Sequence, residues 1–295
     1  MMNLGKTLSP QQLAGMMDHT FLKASGLPGD IEKLCAEAVS YGFATVMVNP
    51  SEIAHCRKCL AGAAVPIGVT IGFPLGQNTI ATKLYEAQDA LGLGVRELDM
   101  VLNVRALQAG ALDVVRTELA DFARVCRKGG AKSKVILETC YLDDAQKQAA
   151  CRLAVEAGLD FVKTSTGFGS GGATVADVRL MRDAVGNRAG VKASGGIRDL
   201  QTALAMVAAG ATRLGTSNSV AIIEELRTYL KIGLNHDGLS FRGGQGGCSG
   251  GNTQGGLSPE QTTQPDAERH ATRCGHGIFR PAAALLAGDQ DRCGY

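Results

Sequence analysis

The sequence predicts a (β/α)8 TIM barrel followed by a disordered C-terminal tail. Short apolar strand patterns alternate with amphipathic helix patterns eight times between residues 10 and 232. Alternation of this kind implies parallel strands joined by helical crossovers, and eight such units suit a closed barrel. Beyond Asn235 the apolar periodicity stops, and Arg242 to Gly256 is nearly all Gly, Gln, Ser, Asn and Thr. The expected division is therefore a barrel domain, 1–234, and a glycine-rich disordered tail, 235–295. The competing architecture, a doubly wound open sheet, usually carries a glycine-rich turn after its first strand. Here that strand ends in Thr20-Phe21-Leu22-Lys23 instead.

Taken in order, Ser9 starts a short helix to Met16, and Asp18 to Leu22 forms the first strand. Asp30 is the expected N-cap of a helix to Ser40, with Gly42 just past its end. Ala44 to Asn49 is the second strand and Pro50 stops it; Ser51 is read as the cap of a helix to Leu60. Pro66 to Gly72 is the third strand. A Gly72-Phe73-Pro74-Leu75-Gly76 turn then leads to a helix whose Ile80, Leu84, Ala87 and Leu91 share one face. Strand four is Arg96 to Leu102, followed by a helix from Leu112 to Cys126. Strand five is Lys134 to Thr139, and Asp143 opens a helix closed by Gly158. Strand six starts at Phe161 and runs into the turn at Gly167; Thr174 to Val185 is the next helix. Strand seven holds Lys192, and Asp199 caps Leu200 to Ala209. Strand eight is Arg213 to Asn218, and a last helix starts at Ser219.

The formal net charge of +2 gives no global pull toward nucleic acid or an anionic membrane. No apolar stretch approaches the roughly 18–20 residues of a membrane span. Met1 to Pro10 lacks the apolar core of a secretory signal, so a cytoplasmic location is expected. Cys35, Cys56, Cys59, Cys126, Cys140 and Cys151 fall in apolar or helical patterns and read as small hydrophobes rather than as a disulfide scaffold. Cys274, His276 and Cys293 match no zinc spacing, so no metal is expected.

Chemistry concentrates on three strand residues: Asp99, Lys163 and Lys192. Lysine is almost never fully buried without a partner. Strands six and seven are neighbours, so Lys163 and Lys192 come within reach of each other. Two ammonium groups that close repel, and one loses its proton at reduced pH, becoming an amine nucleophile. The plain alternative is a buried ion-pair network of Asp99 with both lysines. The position of all three toward the C-terminal ends of barrel strands favours catalysis. Gly195-Gly196 after strand seven and Gly215-Thr216-Ser217-Asn218 at strand eight suit a phosphate, since glycine lets backbone N–H groups approach its oxygens.

Six segments together resemble the signatures of the deoxyribose-phosphate aldolase family. They are Asp18-His19-Thr20, Gly72-Phe73-Pro74-Leu75-Gly76, Glu97-Leu98-Asp99-Met100-Val101, Leu137-Glu138-Thr139-Cys140, Val162 to Gly167, and Val191 to Arg198. The resemblance covers about residues 10 to 232. It implies a class I aldolase on a TIM barrel, without metal or other cofactor, cleaving 2-deoxy-D-ribose 5-phosphate reversibly to D-glyceraldehyde 3-phosphate and acetaldehyde. It further implies that Lys163 forms the Schiff base, that Lys192 lowers its pKa and moves protons, and that Asp99 shuttles protons. Asp18, Thr20 and Thr166 would line the sugar site, and Gly167, Gly195, Gly196, Gly215 and Ser217 would hold the phosphate. Met47 stands where many members carry Cys, which would reshape the aldehyde pocket. The expected partner is a small phosphosugar, with neither nucleic acid nor membrane, and a homo-oligomer is left open. Another lysine-dependent barrel enzyme, or a phosphometabolite-binding barrel without turnover, are the competing readings.

Overall fold

A computed structural model describes residues 8–231. The expectations for residues 235–295 lie outside that range. Eight strands close into one parallel barrel in sequence order: β1 (Met17–Phe21), β2 (Thr45–Val48), β3 (Ile67–Ile71), β4 (Glu97–Val101), β5 (Lys132–Ile136), β6 (Phe161–Lys163), β7 (Gly190–Ser194) and β8 (Arg213–Thr216). Closure is made by β1 against β8, with Asp18 opposite Gly215. The helices are α1 (Pro10–Ala14), α2 (Pro28–Tyr41), α3 (Ile53–Cys59), α4 (Ile80–Gly92), α5 (Val104–Gln108), α6 (Leu112–Lys128), α7 (Asp144–Ala157), α8 (Val175–Val185), α9 (Leu200–Ala208) and α10 (Ser219–Lys231). Among the described residues, no helix is long and apolar enough to cross a membrane.

The apolar core lies between the strands and the helix ring. Helix α6 shows how: Val115, Leu119, Phe122, Ala123 and Cys126 recur at helical spacing and are all buried. Burying one large apolar side chain this way is worth roughly 1.5–3 kcal/mol. The caps are also local. Ser9 and Asp143 accept from the backbone N–H three residues on, and Gly42 and Gly158 end their helices in the left-handed conformation.

Several local expectations are corrected. Asp30 is not the N-cap of α2; the helix starts at Pro28, whose missing N–H suits the first turn, and the Asp30 carboxylate reaches back to accept from Leu27 N at 2.8 Å. Ser51 does not cap α3: Pro50–Glu52 form a 3-10 turn, and α3 follows from Ile53. Strand β5 ends at Ile136 rather than Thr139, because Glu138 turns left-handed with φ 54° and Thr139–Tyr141 make a 3-10 turn. Of the cysteines read as core, Cys59 is exposed and Cys140 half-buried.

Candidate active site

The barrel interior is charged. Lys163 and Lys192 face each other across β6 and β7, and Asp99 faces Lys134 across β4 and β5. Asp99 Oδ2 accepts from Lys163 Nζ at 2.9 Å and from Lys192 Nζ at 2.7 Å, while Oδ1 accepts from Lys134 Nζ at 2.8 Å. Asp18 accepts from Lys192 on one oxygen and from Arg213 Nη1 at 2.6 Å on the other. Glu97 pairs with Lys134 at 2.6 Å and with Arg213 at 3.3 Å. Every member of this network is buried. Charges taken out of water need partners, and the network supplies them mutually.

The tally within the network is uneven. Lys134, Lys163, Lys192 and Arg213 face Asp18, Glu97 and Asp99, one cation too many. Lys163 is the member of this network whose positive charge is disfavoured. Burial lowers its pKa most; Asp99 opposes, and the ammonium groups of Lys192 and Lys134 add to the lowering, which brings it to about 8. Lys134 goes the other way: burial acts against its charge, but Asp99, Asp18 and Glu97 outweigh it and raise its pKa. Burial would raise the Asp99 carboxyl, yet Lys134, Lys163 and Lys192 hold it well below the usual carboxylate range. Lys163 thus combines a depressed pKa with a place on a cavity wall, the pairing expected of an amine nucleophile.

That cavity, about 540 Å³, opens at the C-terminal end of the barrel and is lined by Lys163 together with Thr20, Thr166, Gly167, Gly195, Gly196, Gly215 and Ser217. Three of the predicted residues lie beneath it: Asp18, Asp99 and Lys192 are buried and not among its lining. Lys192 and Arg213 take up both oxygens of the Asp18 carboxylate. Met47, fully buried with its Cε against Gly68, does not line the cavity either.

Along the same cavity the backbone is rich in glycine. Gly167, Gly195 and Gly196 have φ of 89°, 85° and 81°, a region closed to most L-residues. Loops after β6 and β7 approach most closely at glycine: a Cβ on Gly172 would come within 2.3 Å of Gly195 O. Ala173 N donates to both Ser194 O and Gly195 O. The β7 and β8 exits are tied by Thr216, whose hydroxyl donates to Ile197 O and accepts from Asn218 N. Ser217 and Asn218 immediately precede α10, so that helix presents its free N–H groups beside the cavity.

A profile of the DeoC/LacD family aldolases matches residues 13–225. The chain belongs to that family. The aldolase chain is 57% identical over 227 residues to the deoxyribose-phosphate aldolase of Bacteroides thetaiotaomicron, covering 77% of this chain and 95% of that one. It is 51% identical over 216 residues to the deoxyribose-phosphate aldolase of Lysinibacillus sphaericus, covering 73% and 96%. Its barrel is similar to the tetrameric deoxyribose phosphate aldolase structure from Aeropyrum pernix, with TM-score 0.70 and 34% identity over 75% of this chain and 93% of that one.

Sequence reasoning missed four aldolase residues that shape the site: Lys134, Glu97, Arg213 and Glu138. Lys134 carries the same signal as Lys163, a cation inside an apolar strand. With β5 read as running to Thr139 it fell at the strand's start; with the true end at Ile136 it is the middle residue. Arg213 opens β8, where a charge ordinarily meets solvent, but closure of the barrel turns it onto Asp18.

Proposed function

We propose that this aldolase cleaves 2-deoxy-D-ribose 5-phosphate reversibly to D-glyceraldehyde 3-phosphate and acetaldehyde. The observation that carries the reading is Lys163: a cavity-wall amine with its pKa lowered to about 8, 2.9 Å from a carboxylate shared with a second lysine. In the neutral form its Nζ attacks the C1 aldehyde of the open-chain sugar, and loss of water leaves an iminium. The iminium draws electrons as the C2–C3 bond breaks and the C3 hydroxyl gives up its proton. D-Glyceraldehyde 3-phosphate departs and an enamine remains on Lys163. Protonation at C2 and addition of water then release acetaldehyde and restore the amine.

Proton movement falls to Asp99 and Lys192, which share an oxygen–ammonium contact beside Lys163. Asp18 orients Lys192 through its carboxylate. Thr20 and Thr166 flank the sugar, and Gly167, Gly195, Gly196, Gly215 and Ser217 receive the phosphate. The test is covalent trapping. Acetaldehyde followed by borohydride leaves a reduced two-carbon adduct on Lys163, mapped by mass spectrometry, and Lys163→Leu abolishes both adduct and cleavage while retaining the fold. An adduct elsewhere, or cleavage by the Leu variant, overturns the assignment.

A further inference from the structure

Glu138 is the one described non-glycine residue with a positive φ, 54°, and it is buried. A left-handed conformation costs a residue with a side chain on the order of 1–2 kcal/mol, so the surrounding contacts must enforce it. Those contacts all lead to one place. The Glu138 carboxylate accepts from Thr166 N at 3.2 and 3.4 Å and from the Thr166 hydroxyl. That hydroxyl in turn accepts from Phe168 N at 3.0 Å. Gly169 then passes close over the same carboxylate, where a Cβ would stand 3.1 Å from Glu138 Cδ. On the strand side, Leu137 N donates to Lys163 O and Thr139 N donates to Thr164 O. The bend at Glu138 thus aims a buried carboxylate from the exit of β5 into the turn that follows β6. Gly167, at the centre of that turn, lines the cavity and Glu138 does not.

We infer that Glu138 is a positioning residue that builds the 166–169 turn into a phosphate-receiving shape, and so sets the preference for phosphorylated over unphosphorylated sugar without touching either. A carboxylate accepting two donors from one residue fixes both the backbone N–H direction and the side-chain rotamer of Thr166. With Thr166 fixed and Phe168 N committed to its hydroxyl, the intervening peptide has one orientation left. Displacement of a positioning group by about 1 Å is enough to cost up to about a hundredfold in rate. A strained residue retained beside a ligand turn is consistent with this role, since strain is kept where geometry is used.

The inference rests on the aldolase reading, and its test keeps the two apart. Glu138→Gly deletes the carboxylate but accommodates the left-handed backbone, so the variant keeps its fold. The readout is kcat/KM on 2-deoxyribose 5-phosphate relative to unphosphorylated 2-deoxyribose. The expected result is a fall of about tenfold or more in that ratio, carried by KM for the phosphosugar; the unphosphorylated sugar, which meets this turn only at Thr166, loses less. Glu138→Gln keeps one acceptor and is expected to lie between the two proteins. An unchanged ratio in the Gly variant, or equal losses on both sugars, overturns the inference. Should the Gly variant fail to fold, an unchanged ratio in the Gln variant overturns it and a lowered ratio supports it. Acetaldehyde trapping on Lys163 of the unaltered protein involves no phosphate; its failure would remove the aldolase reading itself.

Discussion

The neutral amine of Lys163 is the reactive species in the proposed cycle, so activity follows its titration. Burial and the neighbouring ammonium groups favour the uncharged form, with a pKa of about 8. Below that pH the cation predominates, and kcat/KM should fall about tenfold per unit as the medium is acidified. Above it the profile should level off. A profile flat from pH 6 to 9 would show that another group sets the nucleophile's state. The two lysines of β6 and β7 were legible in the sequence because a cation within an apolar strand demands a reason. Burial and repulsion from Lys192 are both readable there as causes of a lowered pKa; the added repulsion from Lys134 is not, because its place inside β5 depends on where that strand ends.

Elements hold these residues at their heights. Lys83 on α4 is fully buried and donates to Val101 O at 2.8 Å and to Glu118 Oε1 of α6 at 2.7 Å. Glu118 Oε2 accepts from Asn103 N, and Glu86 takes the N–H of Gly72. Two helices therefore clamp the exits of β3 and β4, two residues past Asp99. Lys83→Met leaves the buried Glu118 with Asn103 N but without its counter-ion, and should cost about 3–5 kcal/mol in a urea unfolding measurement. A cost under about 1 kcal/mol would show that Glu118 finds water instead. Helix faces and strand order were readable from periodicity, which depends only on nearest neighbours along the chain. The clamp was not, because Lys83 and Glu118 each resemble an ordinary solvated charge within its own helix. The early end of β5 was hidden for a similar reason. Leu137-Glu138-Thr139 suits a strand locally, and the bend goes with the bond from Thr166, in the turn after β6.

For the whole molecule, the ion network makes acid the sensitive direction. Burial would raise the carboxyl groups of Asp18 and Asp99, but the surrounding cations prevail and hold both below their ordinary range. A carboxylate depressed in the folded state contributes stability above its unfolded pKa and loses it as pH falls. Unfolding midpoints in urea should therefore drop steeply below about pH 4. A midpoint unchanged down to pH 3 would argue that the network contributes nothing net. The barrel's closure carries a further consequence for anyone wishing to move this chemistry. Seven side chains from β1, β4, β5, β6, β7 and β8 share one ledger of charge, so Lys163, Lys192 and Asp99 do not form a portable unit. Grafted alone into another barrel, the triad would lack Asp18 to receive Lys192 and Lys134 to restrain Asp99. The smallest transferable site is the full ring of seven, with the strands that set its spacing.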